Sequence, residues 1–256
     1  MKVLTEESLR IQFKKETPKT YTVDNKALLT PSAKEYLKGK NVELIIKENL
    51  EEEGGDKDQI MKLINDSHNI IPVEASGRHI HLCQRDMDTL FGKDYEMTIV
   101  RELSQPGQYL YQERVSIIGP KSMIQRVPIL GPVRPRTQIE ISLTDAMVLG
   151  VNPPIKESGD LQGSATLFIS TPKDIVKAEE SVIIAKRHIH MTEEDAKNLN
   201  VKDKQIAQVK INSKRPAIFE DVVIRVNNNF TLNMHIDFDE ANAVALEKGV
   251  TGQILY

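Results

Sequence analysis

Two short segments of this 256-residue chain carry histidines two positions apart, Arg78-His79-Ile80-His81-Leu82 and Arg187-His188-Ile189-His190-Met191. Residues i and i+2 of a strand share a face. His79 and His81 can therefore reach one ion, and His188 and His190 another, while Ile80 and Ile189 turn toward a core. Neutral imidazole is a common ligand for zinc and its neighbours. The flanks repeat as well: at the same displacement of 109 positions, Asp86 matches Asp195, Leu90 matches Leu199 and Asp94 matches Asp203. A duplicated unit of this kind predicts two similar barrels. A looser echo links Glu140-Ile141-Ser142-Leu143-Thr144-Asp145-Ala146 to His235-Ile236-Asp237-Phe238-Asp239-Glu240-Ala241. Each of the four segments reads as a strand end running into a short capped helix. Five of the six histidines lie in them, and only His68 does not, which decides where chemistry is sought.

Six ligand types follow: His79, His81, Glu140, His188, His190 and His235. They divide into two threes, and three protein ligands with an open position is the pattern of catalytic zinc. Manganese, iron, cobalt and nickel accept similar donors. Arg134 lies six residues before Glu140, in a stretch stiffened by Pro128, Gly131, Pro132 and Pro135. A guanidinium beside metal cations makes electrostatic sense if both surround an anion such as phosphate, which arginine binds in a fork. The plainer reading is a surface arginine in a proline-rich turn. The turn-rich stretches 103–108 and 158–164 either line a cleft or serve as connectors. Cys83 follows His81 by two residues, but Thr192 takes its place in the second copy, which gives the cysteine a structural role. The chain has no P-loop, dinucleotide-binding glycine pattern or Gly-x-Ser-x-Gly.

The elements that must position these residues are mostly strands. Val115–Ile118, Ala165–Ile169, Gln208–Ile211 and Val222–Val226 read as short strands bounded by turns, a pattern of barrels or sandwiches. The first third differs. Thr5 is a candidate helix N-cap, Tyr21-Thr22-Val23 a short strand, Thr30-Pro31 a helix start and Val42–Ile46 a strand. The charged run Glu51–Asp58 reads as a linker or a solvated loop. With 34 basic against 37 acidic residues the net charge is −3, which excludes a strongly basic nucleic-acid binder and a polybasic membrane-surface protein. No apolar run approaches the roughly 20 residues of a spanning helix, and residues 1–15 lack the apolar core of a secretory signal. One cysteine excludes an intramolecular disulfide and fits a reducing interior.

From Val73 to Tyr256 the chain resembles the phosphate propanoyltransferases of the PduL type. The resemblance is carried, in order, by both Arg-His-Ile-His motifs, Leu103-Ser104-Gln105-Pro106-Gly107-Gln108, Gly131-Pro132-Val133-Arg134, Thr137-Gln138-Ile139-Glu140, Ser158-Gly159-Asp160 and Met234-His235-Ile236-Asp237. It implies a mostly β fold of two β-barrel domains capped by short α-helices, with an N-terminal α/β extension. The first barrel would span 78–185, and the second 67–77 plus 186–256. The resemblance also implies two zinc ions per chain, one on His79, His81 and Glu140, the other on His188, His190 and His235. Arg134 would handle phosphate. Thr5–Arg10 and Leu29–Ala33 resemble the start of ethanolamine-utilisation cobalamin adenosyltransferases. Both families work in or near bacterial microcompartments. Residues 1–60 would then be a docking or encapsulation segment for shell or cargo proteins, or an accessory one, in a protein of the bacterial cytoplasm or a microcompartment. Oligomerisation is compatible with the resemblance.

The implied reaction joins coenzyme A, a short-chain acyl-CoA (propanoyl or acetyl) and phosphate by direct phosphorolysis, with no acyl-enzyme. Free thiols titrate near roughly 8.5, and a coordinating metal deprotonates them outright. The same residues suit a binuclear zinc hydrolase of thioesters or acyl phosphates. A non-enzymatic reading makes the ions structural props of a microcompartment scaffold, against which stands the absence of a cysteine set.

Overall fold

The computed structural model describes residues 3–4, 6–13, 17–24, 28–47 and 69–255. The chain divides into two compact units, Met1–Ile60 and Met61–Tyr256.

In the N-terminal unit the elements are β1 (Val3–Leu4), α1 (Glu6–Gln12), β2 (Thr20–Asp24), β3 (Leu28–Leu29), α2 (Pro31–Gly39) and β4 (Glu43–Lys47). β1 pairs with β3 and β2 with β4, both in parallel. Thr30 caps α2, its hydroxyl accepting from the Ala33 amide at 3.3 Å, and Pro31 fills the first turn where no amide donor is needed. Leu9, Phe13, Ala33, Leu37 and Val42 form a small buried core. The proposed cap Thr5, the linker 51–58 and His68 lie outside the described residues.

The second unit is mostly strand. Its first half runs β5 (Ile70–Ala75), β6 (His79–His81), α3 (Gln84–Phe91), β7 (Ile99–Glu102), β8 (Tyr109–Ile118), β9 (Met123–Gly131), β10 (Gln138–Glu140), α4 (Leu143–Leu149), β11 (Ile155–Lys156) and β12 (Ala165–Ser170). Its second half runs β13 (Ile175–Ala185), β14 (His188–Met191), α5 (Glu193–Asn198), β15 (Ile206–Asn212), β16 (Ala217–Val226), β17 (Asn233–Ile236), α6 (Phe238–Ala243) and β18 (Thr251–Leu255).

Two six-stranded cycles result. The first runs β6-β9-β8-β12-β13-β10 and closes through β10 on β6; the second runs β14-β16-β15-β18-β5-β17. Closure removes the exposed edges that open sheets must protect. The cycles are built alike, and each borrows a strand. β5 leads into the first His-Ile-His strand yet pairs with β17 and β18 of the second cycle. β13 leads into the second His-Ile-His strand yet pairs with β10 and β12 of the first. Each motif therefore starts where a strand of the other barrel ends.

Binary patterning explains the walls. β15 alternates exposed and buried residues along its length, with Ala207, Val209 and Ile211 inward. Its barrel core also holds Ile189, Ile224 and Met234, and the first barrel's core holds Ile80, Ile117, Ile129 and Ile139. Two of the expected short strands are much longer, β8 and β16 running 10 residues each, and β13, which the sequence reading did not single out, runs 11. β13 breaks its own alternation, because Glu180 takes a φ of 43° and residues 181–184 beyond it are all buried. The proline-rich stretch is in part strand: Pro128 sits in β9 beside a register shift against β8, where a ladder donor is dispensable.

Four strand ends run into helices, as the sequence predicts. Ser142, Thr192 and Asp237 each form a reciprocal capping box with the residue three positions on. Cys83 caps α3 without a side-chain hydrogen bond. There Thr137 substitutes, accepting from the Cys83 amide at 3.0 Å and donating to the buried Asp86 at 2.6 Å.

Candidate metal and anion site

β6 and β10 pair antiparallel so that His79 faces Glu140 and His81 faces Gln138. β14 and β17 pair in the same way, His188 facing His235 and His190 facing Asn233. The same strand geometry thus builds two triads. In each, three ligand atoms lie within 4.8 Å of one another: His79, His81 and Glu140, and His188, His190 and His235. Ile80 and Ile189, between the histidines, are wholly buried in the two cores and anchor the ligand-bearing strands.

The rings are oriented by their surroundings. His79 Nδ1 contacts the Gly77 carbonyl at 2.8 Å, His188 Nδ1 the Lys186 carbonyl at 2.8 Å and His81 Nδ1 the Leu130 carbonyl at 3.2 Å. A carbonyl only accepts, so Nδ1 carries the proton and Nε2 keeps its lone pair for the site. Gly77 lets the Phe238 ring approach closely, since a Cβ there would come within 2.6 Å of the ring tip and Phe238 would have to move. His235 Nδ1 lies 3.3 Å from Glu74 Oε1, and Ser104 donates to the same carboxylate. Gln105, buried, donates to the Thr231 carbonyl at 2.9 Å and accepts from its amide at 3.1 Å, pinning the loop 103–108 beside His235.

Electrostatics put these groups in ligand form. Burial works to raise the Glu140 pKa, but the charges of His79, His81, Arg134 and His188 outweigh it and hold it at about 2. Burial lowers the pKa of His81 and His188, takes that of His190 to about 2 and that of His235 to about 3. A carboxylate and neutral imidazoles are the forms that bind metals. His190 Nδ1 is buried with no hydrogen-bond partner, a defect that a ligated, reoriented ring would relieve. Donor chemistry and spacing fit a divalent transition ion in each triad.

Both triads line one cavity of about 710 Å³, within the size range of small-ligand sites. Leu103, Leu110, Pro128 and Leu130 give it an apolar wall, and Arg134 and Arg225 line it too. Arg134 Nη1 donates to Ser158 Oγ at 3.0 Å, which donates to Glu140 Oε1 at 3.0 Å and accepts from Gln138 Nε2 at 2.8 Å. Among the described residues no carboxylate lies within 4.0 Å of the Arg134 guanidinium. Arg134 also lines a second cavity, of about 590 Å³, with Arg85, Arg136 and Lys177.

All seven residues singled out from the sequence line the main cavity, and both turn-rich loops contribute to it through Gln105 and Ser158. Gln138, Ser158, Glu74 and Arg225 were not singled out. Strand periodicity could have found Gln138, two residues before Glu140 on the same face. Nothing short of the strand pairings of the second barrel, β5 on β17 and β16 on β14, could have found Glu74 or Arg225.

A family model described as phosphate propanoyltransferase matches residues 72–247. The chain is 53% identical over 185 residues to a phosphate propanoyltransferase of Listeria monocytogenes, covering 72% of this chain and 87% of that one. It is 50% identical over 198 residues to one of Sebaldella termitidis, covering 77% and 94%. With one of Leptotrichia buccalis it shares 48% identity over 214 residues, covering 83% and 97%.

Proposed function

Since the chain belongs to the phosphate propanoyltransferase family and is therefore an acyltransferase, we propose that it interconverts a short-chain acyl-CoA plus phosphate with acyl phosphate plus coenzyme A, by direct attack and with bound metal. A phosphate oxygen forms a bond to the thioester carbonyl carbon, the C–S bond breaks, and coenzyme A leaves as thiolate, to be protonated from solvent. The observation that carries this reading is Arg134: a guanidinium with no carboxylate partner among the described residues, tied through Ser158 to Glu140, in the cavity that both triads line.

The residues divide the work. Arg134 binds and orients phosphate, and Ser158 fixes where its fork points. His79, His81 and Glu140 would hold one ion, and His188, His190 and His235 the other, with zinc the best match to a cysteine-free donor set. Bound there, such ions supply positive charge that stabilises a departing thiolate and polarises a carbonyl. The apolar wall of Leu103, Leu110, Pro128 and Leu130 suits a short acyl chain. The adjoining cavity, with Arg85, Arg136 and Lys177, suits the phosphates at the far end of coenzyme A. The N-terminal unit, which lies outside the family match, is read as a docking segment for microcompartment shell or cargo proteins.

Thiol release from propanoyl-CoA or acetyl-CoA, followed with and without phosphate, tests the reading. Release should require phosphate and yield acyl phosphate in equal amount. Equal release without phosphate would favour a hydrolase.

A further inference from the structure

Arg225 has no place in the account above. It lies in β16, where the parallel ladder with β14 sets it opposite His190, as Ile224 is set opposite Ile189. In the first barrel Ile129 of β9 stands opposite Ile80 of β6, so the counterpart of Arg225 is Leu130. The duplication is broken there: an apolar residue beside His81, a guanidinium beside His190.

Arg225 is half-buried and lines the main cavity. Among the described residues no carboxylate lies within 4.0 Å of it, and its guanidinium is 5.9 Å from the Phe230 ring centre. Of the other arginines at this cavity, Arg78 is satisfied by Asp145 and Arg101 by the Glu102 carbonyl, while Arg126 is exposed to solvent rather than half-buried. Arg225 also repels Arg134: burial chiefly depresses the Arg134 pKa, the Glu140 carboxylate opposes this, and the charge of Arg225 adds to the depression. Two partly desolvated, like-charged forks aimed at one cavity are unfavourable unless an anion sits between them.

We infer that Arg225 is a second phosphate-binding residue, opposing Arg134, so that one guanidinium from each barrel grips the phosphate or acyl-phosphate group. This rests on the phosphotransacylase reading and deepens it. Two forks can engage separate oxygens of a dianion and leave one oxygen directed at the thioester carbon. They also favour a dianionic nucleophile over water. The phosphates of coenzyme A offer the same oxyanion chemistry, so the test must separate the two sources.

Full-length, metal-loaded Arg225→Gln and Arg225→Lys are compared with the parent, varying phosphate at saturating propanoyl-CoA and then the reverse, with metal content measured on the same samples. Arg225→Gln should raise the KM for phosphate about tenfold or more, leave the KM for propanoyl-CoA within about twofold, and keep the parent's metal content. Arg225→Lys, which retains the charge without the fork, should recover part of the loss. An unchanged phosphate KM in an active Arg225→Gln enzyme overturns the inference alone. So does a raised KM for propanoyl-CoA alone, which assigns the charge to coenzyme A, or a loss of metal, which makes Arg225 a prop of the second triad. A parent enzyme that releases thiol without phosphate overturns the phosphotransacylase reading and this inference together.

Discussion

Arg78 forks onto Asp145 through two hydrogen bonds, Nη2 to Oδ1 at 2.7 Å and Nε to Oδ2 at 2.9 Å. Asp145 is the acid of the capping box at the start of α4, the helix that follows the Glu140 strand. The second barrel repeats the device: Arg187 Nε meets Glu240 Oε1 at 2.9 Å, and Glu240 completes the capping box of α6, after the His235 strand. The arginine that opens each Arg-His-Ile-His motif thus ties two histidines of a triad to the helix behind its third member.

Arg78→Gln should therefore loosen the first triad. It leaves the buried Asp145 carboxylate without its cation, a loss of about 1–3 kcal/mol once the partial exposure of Arg78 is discounted. Metal titration should show weakened affinity at one of two sites, and urea unfolding a lower midpoint. Unchanged metal affinity would reduce the pair to a surface ornament.

Ser158→Ala removes the hydroxyl that accepts from Arg134 and donates to Glu140. Loss of a hydrogen bond to a charged group, about 1.5–3 kcal/mol, corresponds to a fall in kcat/KM of roughly 10–100-fold. Metal content should stay at the parent value, since Ser158 is not a ligand. Parent-level turnover with phosphate would show that Arg134 needs no such anchor.

The grouping into two triads was legible because the sequence repeats it: two His-x-His units and, before helix-start signals, the third members Glu140 and His235. Strand periodicity then placed Ile80 and Ile189 in cores. What escaped notice depends on pairing between distant strands. Glu74 reaches His235 only because β5 is donated to the other barrel, and Arg225 reaches the cavity only through the register of β16 on β14. β13 escaped because Glu179 and Glu180 interrupt its alternation before it enters continuous burial. The N-terminal helix at 31–39 was legible from Thr30-Pro31 alone, a purely local signal.

The metal-free protein should lose stability in mild acid. His190 is faced by His188, His235 and Arg225, and His235 by His188, Glu140, Arg225, His79 and Glu74. Burial first, then the neighbouring cationic groups, hold their pKa values at about 2 and about 3, below the ordinary 6.5 of an unfolded chain. Between those limits the unfolded chain binds more protons, so stability is fully present above pH 6.5 and falls as pH drops toward 3. Urea midpoints in chelator should decline from pH 7.5 to 5, and less steeply in His190→Gln. Parallel slopes for parent and variant would contradict the assignment.

Cys83 offers the last test, because the duplication supplies its own control. At the matching position Thr192 accepts from the Asp195 amide at 3.1 Å and closes a capping box, whereas Cys83 caps α3 with no side-chain hydrogen bond. Cys83→Ser places a hydroxyl where the second copy uses one, and a serine cap is worth typically about 1 kcal/mol. The thermal midpoint should therefore hold or rise. Turnover should also persist, since direct attack by phosphate needs no thiol on the enzyme. Abolished turnover in a folded, metal-replete Cys83→Ser protein would instead reopen an acyl-cysteine route and count against the direct mechanism.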